Sequence, residues 1–101
     1  MSIEFTANFD QPIPPSSLPR LKDYLVRNTR FDIVRDNGAE FGLADSTRKE
    51  HASTEEIAIL VDSNRVYVAF HCSTRDERAA FLAVATQALD NVGIISTFEE
   101  L

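Results

Sequence analysis

Between Ile57 and Phe70 the apolar side chains recur at every second position, in two runs, Ile57-Ala-Ile-Leu-Val-Asp62 and Arg65-Val-Tyr-Val-Ala-Phe70, around Ser63-Asn64. A period of two is that of a pleated strand with one face buried. A two-residue turn at Ser63-Asn64 pairs Asp62 with Arg65, so Ile57, Ile59 and Val61 share a face with Val66, Val68 and Phe70. Ala58, Leu60, Tyr67, Ala69 and His71 fall on the opposite face.

The same alternation opens the chain, where Ile3, Phe5, Ala7 and Phe9 interleave with Glu4, Thr6, Asn8 and Asp10 until Pro12, Pro14 and Pro15 end the strand. Leu18, Leu21 and Leu25 then follow helical spacing, joined by Tyr24 or Val26 at the margin. They predict a short amphipathic helix capped at Ser16 or Ser17, tolerant of Pro19 in its first turn, and ending near Asn28. A second helix is predicted from Thr74, whose spacing to Glu77 is that of a capping box, to about Val92, with Gly93 as its stop. Its apolar face is Phe81, Leu82, Ala85, Ala88 and Leu89. Residues 94 to 101 read as a last strand.

Phe31 to Arg35 and Ala39 to Leu43 flank the turn signal Asp36-Asn37-Gly38. A two-residue Asn-Gly loop would split the apolar set across both faces. A three-residue loop with Gly38 left-handed at a bulge pairs Arg35 with Ala39 and gathers Phe31, Ile33, Phe41 and Leu43. That register is preferred, because a slip by one residue exposes several large apolar groups at roughly 1.5 to 3 kcal/mol each. Residues 44 to 56 are polar with little to bury, and predict a mobile surface loop.

The element order is therefore βαββββαβ in one domain spanning residues 1 to 101. Both helices are amphipathic, so each covers the sheet on one side and turns its charged face to water. The expected fold class is α+β, a two-layer sandwich with a mostly antiparallel sheet of about six strands and two helices on one face. The other face is expected to stay open and to collect Glu4, Thr6, Asn8, Asp10, Asp32, Val34, Asp36, Glu40, Leu60, Asp62, Tyr67 and His71.

Charge changes the picture more than composition does. At 44% hydrophobic and 26% charged the chain is an ordinary globular sequence, but its net charge of -6 repels a phosphate backbone or an anionic membrane and attracts a basic partner. Neither nucleic acid nor membrane is expected as a partner. No apolar stretch approaches the roughly 20 residues needed to span a bilayer, and no basic-then-apolar leader follows Met1, so a cytoplasmic location is expected. The one cysteine, Cys72, cannot form an intrachain disulfide.

Candidate chemistry is sparse. His71 and Cys72 are adjacent, but consecutive strand residues point to opposite faces, so they make no nucleophile-base dyad; Cys72 is expected in the core and His71 on the surface. His51 lies near Glu50, Glu55 and Glu56 without the spacing of a metal site, and neither a metal nor a cofactor is expected. Gly38, Gly42 and Gly93 are too scattered to cradle a phosphate. The pairs Glu55-Glu56, Asp76-Glu77 and Glu99-Glu100 are accounted for by solvation or helix capping, and no enzyme is expected. Arg20, Lys22, Arg27 and Arg30 make the first helix locally basic, a solvated face in so acidic a chain. The open face, with a tyrosine and aliphatic groups among carboxylates, has the composition of a protein-binding patch.

In size, acidity and element order, and in a closing strand that ends Phe98-Glu99-Glu100-Leu101, the chain resembles the small acidic immunity proteins that accompany bacterial polymorphic toxins. The resemblance implies an α+β sandwich without catalytic residues that neutralises a basic toxin by occupying its cleft. On that expectation Asp32, Asp36, Glu40 and Asp62 supply attraction, Tyr67 and Leu60 supply buried contact, and His71 adjoins them. The alternatives are an acidic secretion chaperone, which would be an obligate dimer holding an extended effector segment, and a small enzyme with a concave pocket.

Overall fold

A computed structural model describes residues 2–45, 47, 55–71 and 73–101. The elements run β1 (Ile3–Asn8), a single 3-10 turn at Pro15–Ser17, α1 (Leu18–Asn28), β2 (Phe31–Asp36), β3 (Glu40–Asp45), β4 (Ile57–Asp62), β5 (Arg65–Phe70), α2 (Arg75–Asn91) and β6 (Phe98–Glu100). The strands form one sheet of six in the order β2-β3-β4-β5-β1-β6, every neighbouring pair antiparallel. The α+β class and the βαββββαβ order expected from the pattern are those observed.

Both helices lie on the same face of this sheet. Leu21 and Leu25 of α1 and Phe81, Ala85, Ala88 and Leu89 of α2 join Phe41, Leu43, Ile57, Ile59, Val61, Val66, Val68 and Phe70 in one buried cluster. The helices run antiparallel, since Arg20 lies by Asn91, Tyr24 by Gln87, and Arg30 by Glu77. Aromatic edges pin α2 to the strands: Phe81 meets both Phe31 and Phe70 edge-on at 5.8 Å, and Phe70 meets Phe5 in the same way. Because β4 and β5 pair Asp62 with Arg65 around Ser63-Asn64, as the alternation required, their faces divide as expected.

Both helix ends of α2 obey local rules. Thr74 Oγ1 accepts from the Glu77 amide at 3.2 Å while Glu77 Oε1 accepts from the Thr74 amide at 2.8 Å, so the predicted capping box is complete. At the far end Gly93 takes φ +86°, a left-handed conformation that favours glycine, and the Ile94 amide donates back to the Leu89 carbonyl at 2.9 Å. This closure drives Ile94 into the core and leaves Ile95 87% exposed. The predicted last strand is thereby shortened to Phe98–Glu100, because residues 94–97 are committed to leaving the helix. At the start of α1, Ser17 makes no side-chain cap, and the preceding 3-10 turn delivers the chain instead.

The β2-β3 hairpin departs from the expected register. Asn37 donates to the Glu40 carbonyl at 2.8 Å, leaving Gly38 (φ +81°) and Ala39 at the tip, and Asp36 rather than Arg35 heads the strand pairing, opposite Phe41. One extra residue, Val34, is then accommodated as a bulge between Ile33, opposite Leu43, and Arg35, opposite Gly42. The apolar set still gathers on the helix side, with Phe41 and Leu43 fully buried and Phe31 and Ile33 packed against the cluster. The bulge meets the demand of the core while the turn keeps its own two-residue geometry. It also rotates Asp36 out of the expected open-face set: Asp36 faces α1, where Lys22 Nζ binds it at 2.7 Å while lying 5.1 Å from the Phe41 ring centroid.

The expectation that residues 44 to 56 bury little fails at both ends of the segment. Ala44, Asp45 and Glu56 are buried, whereas Thr47 is exposed. Residues 46 and 48–54, including His51, lie outside the described residues, as does Cys72 with the expectation that it is a core residue.

Candidate functional site

The open face is built in transverse rows by the strand register. Glu40, Leu60, Tyr67 and Thr6 stand side by side on β3, β4, β5 and β1, and Glu99 of β6 continues the row. The next row is Arg35, Gly42, Ala58, Ala69 and Glu4. Large residues in one row beside small ones in the next make a step in the surface, which opens as a hollow of about 230 Å³ lined by Glu4, Glu40, Ala58, Leu60, Tyr67 and Ala69. Leu60 remains 40% exposed and Val34 39%, whereas most large apolar residues on the helix side are buried.

Ion pairs lie across the β3 side of this face. Arg35 Nη1 holds Glu40 Oε1 at 2.9 Å and its Nε holds Glu55 Oε1 at 2.7 Å, while the other Glu55 oxygen sits 3.7 Å from His71 Nε2. The hydrogen bond to Glu55, followed by that to Glu40, outweighs desolvation and holds the Arg35 guanidinium further above its ordinary value. Glu55 reaches this position by lying across Gly42, where any Cβ would collide with its carboxylate. At the tip of the β4-β5 hairpin Asp62 is 3.5 Å from Arg65, whose guanidinium carbon lies 4.8 Å from the centre of the Tyr67 ring.

The residues singled out from the sequence divide accordingly. Glu40, Leu60, Asp62, Tyr67 and His71 share the open face. Asp32, opposite Ala44 in β2, lies on the same side near the sheet edge and is exposed. Asp36 is apart from them on the helix side, and the Lys22 ammonium hydrogen-bonded to it, with the Gly38 amide, holds its carboxyl below the ordinary value. Glu40, Asp36 and Asp62 therefore each have a basic partner. Glu4 and Glu99 have none among the described residues.

Sequence reasoning did not find Arg35, Glu55 or Arg65 as members of this surface. Gly42 was the available signal, because a glycine inside a strand marks a close approach by another group. It also did not find the buried carboxylate at the end of β3. Burial alone would raise Asp45, but the Thr47 hydroxyl and amide, with the Arg30 guanidinium 2.7 Å away, outweigh it and hold the carboxyl below its ordinary value. Arg30 also pairs with Glu77, so one guanidinium ties the end of β3 to the first turn of α2. The Asp45 amide donates to Glu56 Oε2 at 2.6 Å, and the Glu56 carbonyl accepts from His71, which fastens Glu55 and Glu56 to both neighbouring strands.

Other concavities differ in character. A cleft of about 320 Å³ lies between the 28–31 connection and the first half of α2 over Phe31, Phe81 and Val84, and a polar hollow of about 250 Å³ lies between β1 and residues 95–99. Among the described residues no group of His, Cys, Asp or Glu is gathered to hold a metal, and no helix is long and apolar enough to cross a membrane. Comparisons with protein-family models, curated proteins and solved structures found no match.

Proposed function

We propose that this chain is a non-catalytic protein-binding module of the immunity type, which neutralises a basic toxin through the open face of its sheet. The observation that carries the reading is the pairing of Leu60 and Tyr67 with the hollow beside them over Ala58 and Ala69, on a face that neither helix covers. An anchor pocket ringed by charge is the usual centre of a protein interface, and the net charge of -6 steers a basic partner toward it.

The sheet edges favour the face over strand addition. β2 is interrupted by the Val34 bulge and carries Asp32 and Asp36, and β6 has three residues, two of them glutamates. Both are devices that blunt an edge against pairing with another chain. Face-on docking remains, with Leu60 and Tyr67 as contact, Asp32, Glu40 and Asp62 as rim, and His71 at its margin. Asp36, turned to α1, is not part of this surface.

The test is copurification from the native host with mass spectrometry, using the wild type, Leu60→Glu, Tyr67→Ala and Asp36→Asn. Loss of the same basic protein from the first two variants, with retention by Asp36→Asn, supports the reading. Retention of every partner by Leu60→Glu and Tyr67→Ala, in variants that remain folded, ends it.

A further inference from the structure

We propose that the hollow beside Leu60 and Tyr67 is the receptor for one basic side chain, an arginine or lysine projecting from the protein partner. The inference rests on the open face being the binding surface, and it names the chemistry that the centre of that surface selects.

Size makes the first distinction. At about 230 Å³ the hollow is smaller than the roughly 300 to 1,000 Å³ of sites that enclose a free small molecule, and it is open on its outer side. It suits a single long side chain whose backbone stays outside, held in place by a larger body. Its floor is Ala58 and Ala69, and Leu60 and Tyr67, side by side, form one wall, an apolar shelf for a methylene stem.

Charge makes the second. Carboxylates stand at opposite ends of the hollow, Glu4 on β1 and Glu40 on β3. Glu40 is engaged through Oε1 by Arg35, while Glu4 has no basic partner among the described residues. An apolar or acidic occupant would strip water from Glu4 and return nothing, and a neutral amide would return only a hydrogen bond, whereas an ammonium or guanidinium replaces the lost hydration with an ion pair. Tyr67 suits the same guest only through the ring face that the Arg65 guanidinium, 4.8 Å from the ring centre, does not occupy. Stem, charged head and aromatic wall all describe a basic side chain.

The test is an NMR titration of the isotopically labelled full chain with N-acetyl-arginine amide and N-acetyl-lysine amide. N-acetyl-citrulline amide serves as the uncharged isostere of the first. The expected result is saturable shifts confined to Ala58, Leu60, Tyr67, Ala69 and their neighbours. Affinity should be on the order of millimolar, as befits a single-residue fragment, and should weaken with added salt. Glu4→Gln should weaken binding of both cations several-fold and leave the citrulline response unchanged. Equal shifts with citrulline, no saturable shift, or indifference to Glu4→Gln would each overturn the proposal. Loss of partner capture in Leu60→Glu without any binding of the cationic probes removes this inference and keeps the protein-binding reading. Probe binding with capture untouched by Leu60→Glu would show a hollow that takes cations but overturn its assignment to the partner, together with the protein-binding reading.

Discussion

The two faces of β4 and β5 are made from alternate residues of the same strands, yet they solve different problems. On the helix side Ile57, Ile59, Val66, Val68 and Phe70 are buried to within a few per cent, and any change of volume there is felt through a close-packed interior. On the other side Leu60, Tyr67, Ala58 and Ala69 meet water, and their arrangement as rows of large and small groups adds little to stability. The contrast teaches that surface shape here is free to vary without loss of the fold, because the fold is held from the opposite side.

The largest expected effect breaks that contrast at its strongest point. Phe41→Ala, at a fully buried position under α1, should cost about 3 to 5 kcal/mol, whereas Leu60→Ala on the open face should cost less than about 1 kcal/mol. Urea unfolding midpoints of the two variants check the ordering. Similar losses would mean that the open face is structural after all.

The next effect concerns the polar bridge at the end of β3. Asp45→Asn removes the charge that Arg30 and Thr47 hold in a buried setting, and should cost about 1 to 3 kcal/mol at neutral pH. Because the folded carboxyl sits below its ordinary value, this contribution is complete above the unfolded value of roughly 4 and is lost as pH falls through the folded value. The difference between wild type and Asp45→Asn should accordingly narrow when unfolding is measured at pH 3 or lower.

A smaller loss, about 1 kcal/mol, is expected for Thr74→Ala, which removes the cap from α2 and leaves both faces of the sheet unaltered. Amide exchange in the first turn of α2 should quicken while exchange in β4 and β5 keeps its order. The smallest effect is that of Gly42→Ala. Its methyl group displaces the Glu55 side chain, so the coupling between Arg35 and Glu55 measured in a double-mutant cycle should vanish, with stability almost unchanged because such surface pairs contribute little. A persistent coupling would show that Glu55 reaches Arg35 by another path.

How legible each part was follows from how local its cause is. The capping box at Thr74, the stop at Gly93 and the Ser63-Asn64 hairpin depend on residues within a few positions of one another, and each stands where the pattern put it. The Val34 bulge could not be read in this way. It reconciles a turn preference with a core preference, and only the packing of β2 against α1 reveals that both are met at once. Asp36 shifted faces for that reason, and Arg35 took the place expected of it. Glu55 was invisible as a neighbour of Arg35 and His71 because the three are brought together across separate strands, over a glycine whose role is to be empty.

Periodicity by itself determined the class of fold, the order of the elements and which side of β1, β4 and β5 turns to the core, since burial of apolar groups at a spacing of two or 3.6 residues is a property of short segments. The neighbours across the sheet, the pairing of Asp36 with Lys22, the charge line through Arg35 and the hollow beside Leu60 and Tyr67 were decided by tertiary structure. Each depends on the register between strands distant in sequence, and register is chosen by the energy of the whole packed layer rather than by any stretch of the chain.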